Sequence, residues 1–249
     1  MGVGTRTDTS CVTLVHGTMC TPSTAWRQQM DLAPRWHLAT PARRGYREAD
    51  ADVQEDFRRD GLDLAALLDS PTHLVAHSYG CIGALVAARM RPEAVLSLTL
   101  VEPTFYGLEG CADIDKARHE LETHFKRVDL SHREFLSGFL AALNISAPLV
   151  PDPMPAKLAK LTTLLRNQVS PWTFPEDAIV PWGGGRTLII SGGHDRAFDA
   201  ICDLTAKRLG ATITTLEGAG HSPQNLGQPF NALVQRFWRG EPLLHGSQE

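Results

Sequence analysis

Three segments of the 249-residue chain carry side chains that could act together on a carbonyl group. The first reads Leu74, Val75, Ala76, His77, Ser78, Tyr79, Gly80, Cys81, Ile82, Gly83, an apolar β-rich run that turns sharply into a helical pattern with Ser78 at the apex. Ala76 and Gly80 are small, as such a turn requires, because it brings neighbouring chain too close for larger side chains. A serine hydroxyl is a poor nucleophile at neutral pH, so an imidazole must take its proton and later return it to the leaving group. His221, within Gly218, Ala219, Gly220, His221, Ser222, Pro223, is the residue for that task. A carboxylate on the far ring nitrogen would fix the tautomer and stabilise the imidazolium. Asp195, in Gly192, Gly193, His194, Asp195, is a candidate, and Glu102 and Asp199 could stand in its place.

The elements that must hold these residues are legible as short apolar runs alternating with longer helical patterns, the sequence form of a parallel sheet with crossover helices. Strands are expected over Cys11 to Val15, Trp36 to Thr40, His73 to Ala76, Leu96 to Val101, Thr187 to Ser191 and Thr212 to Leu216. They are brief and mostly apolar on both faces, as strands covered on both sides should be. Helices are expected over Val53 to Leu68, Ile82 to Met90, Arg196 to Leu209 and Leu226 to Trp238. Ser78, Asp195 and His221 then all follow strand ends, where open α/β sheets build their sites. From Pro103 to Gly185 the rhythm breaks: helical patterns at Ile114 to Val128, His132 to Leu143 and Ala156 to Gln168 surround a Pro-rich turn at Pro148 to Pro155. We read 1–102 and 186–249 as an α/β core and 103–185 as a helical cap inserted between two of its strands.

The segment around Ser78 resembles the nucleophile elbow of the α/β-hydrolase superfamily, with Ala76 where glycine is usual. The order Ser78, Asp195, His221 is the order of that family's triad, and the Gly192 to Asp195 loop is similar to its acid loop, which favours Asp195 over Glu102. The apolar run ending in Leu14, Val15, His16, Gly17, Thr18 resembles the turn that supplies one oxyanion-hole amide. By position the resemblance implies the backbone N–H groups of Thr18 and Tyr79 as that hole, with His16 a structural histidine. Relatives often carry aspartate where Ala42 stands in Pro41, Ala42, Arg43, Arg44, Gly45, Tyr46, so the resemblance stops short of a subfamily. The early antiparallel strands of larger members are expected to be missing.

Composition narrows the function. Hydrophobic residues are 43% and charged residues 21%, ordinary globular usage, and the net charge of −4 provides no field for a nucleic acid backbone. Cys11, Cys20, Cys81, Cys111 and Cys202 lack the spacing of a zinc site or a disulfide framework and read as reduced thiols. No metal or organic cofactor is expected. The polar segment Met1 to Ser10 lacks the apolar stretch of a signal peptide, and no run is long enough to span a membrane. The expectation is a cytoplasmic protein, monomer or homodimer, acting on a small molecule without nucleic acid or membrane partners. Serine in place of aspartate at the elbow argues for an acyl-enzyme and against alkyl-enzyme chemistry. A carboxylic ester, thioester or lactone is the expected substrate, with Tyr106, Phe139 and Trp172 of the cap lining its pocket. Lyases, cyclases, acyltransferases and hormone receptors use the same scaffold and remain alternatives.

Overall fold

A computed structural model describes residues 10–47, 50, 53–145 and 149–243. The N-terminal segment up to residue 9 and Pro148 of the Pro-rich turn lie outside the described residues. The sheet has six strands: β1 Cys11–Val15, β2 His37–Ala39, β3 Thr72–His77, β4 Val95–Val101, β5 Arg186–Ser191 and β6 Thr212–Thr215. Their order is β2-β1-β3-β4-β5-β6 and every pairing is parallel. The expected strands are all present, with ends shifted by a residue or so.

Strand alternation divides the core in two. Leu74 and Ala76 of β3, Leu98 and Leu100 of β4 and Ile189 of β5 face one side. Val12 and Leu14 of β1, Val75 of β3, Val101 of β4, and Leu188 and Ile190 of β5 face the other. On the first side lie helices α2 Phe57–Leu67, α3 Gly80–Met90 and α7 Arg196–Leu209. On the second lie α1 Pro22–Ala25 and α8 Gln228–Arg239, whose Phe230, Val234, Phe237 and Trp238 repeat at helical spacing and are buried. Every residue of β3 is buried, whereas the edge strands β2 and β6 are partly exposed. The helix expected from Val53 starts only at Phe57, because Asp56 caps it, accepting the N–H of Arg58 at 2.8 Å. α2 and α3 approach closely: a Cβ on Gly61 would lie 2.5 Å from the Val86 side chain.

Between β4 and β5 the described residues contain no strand. They form α4 Ala112–Phe125, α5 His132–Ala142 and α6 Ala156–Arg166. A capping box starts α5, where Ser131 and Glu134 satisfy each other's backbone N–H groups. Phe135, Leu136, Val150 and Leu165 give these helices a small core of their own. Beyond α6 the chain is tied to the sheet's loops, with Val169 N–H donating to Glu55 C=O at 2.7 Å and Tyr79 Oη–H to Val169 C=O at 2.7 Å. Among the described residues no helix is long and apolar enough to cross a membrane. The five cysteines are unpaired.

Candidate active site

Ser78 follows β3 with φ of +53°, a left-handed conformation that costs a serine of order 1–3 kcal/mol and is held by its surroundings. Its N–H donates to Val101 C=O at 2.9 Å. The packing explains the small residues: a Cβ on Gly80 would lie 2.5 Å from His16 C=O, and one on Gly17 would lie 2.9 Å from Ser78 Cβ. The turn therefore lifts the hydroxyl out of the strand and presses the β1 loop against it.

Ser78 Oγ is 3.0 Å from His221 Nε2. On the other side of the ring, His221 Nδ1 is 3.2 Å from Glu102 Oε2. Asp195 does not occupy that place. Its carboxylate accepts the N–H groups of Ala197 at 2.9 Å and Phe198 at 3.2 Å, capping α7. Asp199 is likewise elsewhere, bonded to Ser191 Oγ at 2.6 Å. The preference for Asp195 on His221 is thus corrected to Glu102, and the reason is geometric. Glu102 stands at the end of the central strand β4, with φ of +50° and no exposure, and its N–H is fixed on Ile190 C=O. The Gly192 loop serves Glu102: Gly192 N–H donates to Oε1 at 2.5 Å. A Cβ on Gly192 would sit 1.9 Å from Gly220 C=O, so that glycine also lets the His221 loop approach.

Burial pushes Glu102 up to about 7, against the opposing pull of the Gly192 N–H. Burial and the nearby His194 lower His221 to about 3, while Asp195 acts on it only through space, raising it. The resting imidazole is therefore uncharged, and a proton on Nδ1, which faces Glu102, leaves the Nε2 lone pair free to face Ser78. His77, lowered by burial and by His221 to about 3, is also neutral, and its Nε2–H donates to His221 C=O at 2.7 Å, fixing the loop.

The N–H groups of Thr18 and Tyr79 take part in none of the turn, loop and side-chain hydrogen bonds of the described residues. Behind Thr18 lies a polar cluster not foreseen from sequence. Arg43 Nη1 meets Asp60 Oδ2 at 2.7 Å and Nη2 meets Glu55 Oε2 at 3.0 Å, with all three side chains at most 5% exposed. Arg43 also donates to His16 C=O at 2.8 Å and Gly17 C=O at 2.9 Å. Burial alone would depress Arg43, but Glu55 and Asp60 hold it well above its ordinary value. Glu55 further accepts Thr18 Oγ1–H at 3.0 Å and Tyr46 Oη–H at 2.6 Å, and His16 bonds Gly17 C=O at 2.8 Å. The β1 turn is clamped from beneath. The only hint in the sequence is the Arg43-Arg44 pair followed by Glu55 and Asp60, which reads equally as a solvated surface.

Thr18, Ser78 and Tyr79 open onto a narrow cavity. Tyr106, Phe139 and Trp172, the three side chains expected to wall a pocket, all line it, together with Leu121 and Phe125.

Residues 14–236 match the sequence model of the alpha/beta hydrolase family, and the chain belongs to that family. Its fold is shared with an alpha/beta hydrolase fold protein from Burkholderia ambifaria at 23% identity and a TM-score of 0.65, covering 91% of this chain and 90% of that one. A haloalkane dehalogenase loop variant from Bradyrhizobium elkanii aligns at 21% identity and a TM-score of 0.59 over 94% and 91% of the two chains. Naproxen esterase (carboxylesterase NP) from Bacillus subtilis aligns at 15% identity and a TM-score of 0.64 over 93% and 84%. A comparison with curated proteins returned no significant match.

Proposed function

We propose that the protein is a serine hydrolase that cleaves a carboxylic ester, thioester or lactone through an acyl-enzyme on Ser78. The observation that carries this reading is the unbroken hydrogen-bonded line from Ser78 through His221 to Glu102. His221 accepts the hydroxyl proton as Ser78 attacks the carbonyl carbon, and Glu102 stabilises the imidazolium that forms. The N–H groups of Thr18 and Tyr79 receive the oxyanion, each worth about 3–4 kcal/mol of barrier in sites of this kind. The tetrahedral intermediate collapses as His221 returns the proton to the leaving group, and water activated by the same imidazole then releases the acid. The apolar walls from Tyr106, Phe139 and Trp172 receive the acyl chain. The cavity they wall is narrow, which favours a short chain.

The test is turnover of p-nitrophenyl acetate, butyrate, octanoate and palmitate by the wild type and by Ser78→Ala and His221→Ala. The short esters should be preferred, and both variants should lose nearly all activity. A folded wild type that hydrolyses none of them and is not labelled at Ser78 by a fluorophosphonate would overturn the proposal.

A further inference from the structure

Glu102 faces two imidazoles, and the mechanism above uses one. Its Oε2 lies 3.2 Å from His221 Nδ1 and 3.4 Å from His194 Nδ1. One ligand atom from each of the three groups falls within 4.8 Å of the other two. Around a tetrahedral zinc ion, bonds of about 2.0–2.1 Å separate neighbouring ligand atoms by roughly 3.4 Å. Two of the three separations already lie near that value, and the ligand atoms of the two rings are within 4.8 Å of one another.

His194 supplies an independent reason to look for a ligand. Its side chain is 9% exposed, yet neither ring nitrogen has a hydrogen-bond partner. Burying polar atoms without partners is costly, and here one of them lies 3.4 Å from a carboxylate oxygen without a hydrogen bond to it. Its backbone is held from the cap, where Asn144 Nδ2 donates to His194 C=O at 2.8 Å. The other carboxylate oxygen, Glu102 Oε1, is fixed by Gly192 N–H, the outer support that metal-binding carboxylates typically have.

We propose that Glu102, His194 and His221 form a site for a divalent transition-metal ion of the zinc type, and that its occupancy switches the hydrolase off. Two imidazoles and one carboxylate suit zinc, copper or nickel far better than magnesium or calcium, which want oxygen ligands. The inhibition follows from the tautomer and rests on the hydrolase reading. A metal on Nδ1 takes the lone pair of that nitrogen, so the single ring proton of His221 moves to Nε2 by exchange with solvent. Nε2–H then points at Ser78 Oγ, and no lone pair remains to accept the hydroxyl proton.

The probes are Zn²⁺ in calorimetry and Co²⁺ in visible absorption, applied to the whole chain after treatment with EDTA, alongside ester turnover. The wild type should bind one Zn²⁺ per chain, show the intense d–d bands of a tetrahedral Co²⁺ site, and lose turnover reversibly, with EDTA restoring it. His194→Phe and, in case that variant does not fold, His194→Gln should bind Zn²⁺ at least about 10–100-fold more weakly. Their zinc sensitivity, each measured against its own metal-free rate, should fall in step. No Zn²⁺ binding, binding indifferent to both substitutions, Co²⁺ spectra dominated by thiolate charge transfer from the free cysteines, or His194-dependent binding without inhibition of an active wild type would each overturn the proposal. A protein that takes up the metal through His194 but hydrolyses no ester would overturn the hydrolase reading and leave the metal site standing.

Discussion

Two buried polar clusters flank Ser78, and they are built on opposite rules. Beneath the β1 turn, Arg43 sits between Glu55 and Asp60, and its guanidinium also holds two backbone carbonyls. Every strong charge there has an opposite charge or a fixed dipole at hydrogen-bond distance, so the cluster gains nothing by moving a proton. Around Glu102, one carboxylate faces two imidazoles and no fixed cation, and burial pushes its affinity for protons toward neutrality. The first cluster is suited to holding amides still and the second to exchanging a proton, a division that active sites commonly make between positioning and chemistry. The same contrast predicts different failures. Damage to the first cluster should appear in folding, and damage to the second in rate.

The largest expected effect is on the second cluster. Glu102→Gln keeps the shape and the hydrogen bond from Gly192 but removes the charge that selects the tautomer of His221. Ester turnover should fall on the order of 10⁴-fold while thermal stability holds. A loss smaller than tenfold in the steady-state rate would place the acid elsewhere. Next comes Arg43→Met, which strands Glu55 and Asp60 as buried charges without a cation. Breaking a buried pair in this way is expected to destabilise the fold by about 3–5 kcal/mol, read by urea unfolding. If stability were unchanged and only the rate fell, the clamp would belong to the chemistry after all.

A smaller effect sharpens the division between the clusters. In buffer containing EDTA, the active form needs Glu102 ionised and His221 neutral. Since burial raises Glu102 to about 7 and lowers His221 to about 3, kcat/KM should drop as the pH falls through about 7. That acid limb belongs to the pair and should vanish in Glu102→Gln, leaving a low rate that is flat across the same range. A limb unchanged in the variant would assign the titration to another group.

Sequence reading went furthest where the rules are local. The four inner strands were legible because strands buried on both faces have no choice but to be apolar, and Ser78 because its turn needs small residues at Ala76 and Gly80 for reasons that act within five positions. His221 followed from its glycine-rich loop after a strand. The acid was harder, because which carboxylate reaches His221 is decided by the neighbourhood of β3, β4 and β5 in the sheet. A signal existed nonetheless. Glu102 is a charged residue placed directly after Leu98, Thr99, Leu100 and Val101, which are fully buried, and Asp195 stands one residue before a helix, where the N-cap rule gives it other work. The Arg43 cluster was out of reach because its members come from a loop and a distant helix start, and charge pairs at such separations have no period to betray them.

The smallest predicted effect separates the two carboxylates at the Gly192 loop. If Asp195 only caps α7, then Asp195→Ala removes two hydrogen bonds to backbone N–H groups and should cost about 1 kcal/mol of stability. Its charge still reaches His221 through space, where it favours the imidazolium. Removing it should therefore slow turnover modestly, by less than about tenfold, with the acid limb near neutrality preserved because Glu102 remains. Were Asp195 the partner of His221, the same substitution would reproduce the Glu102→Gln collapse in rate, and the double variant would be no worse than either single one. Steady-state rates for the two single variants and the double variant decide the matter. Independent roles require the losses to multiply, whereas a shared role as triad acid requires them not to.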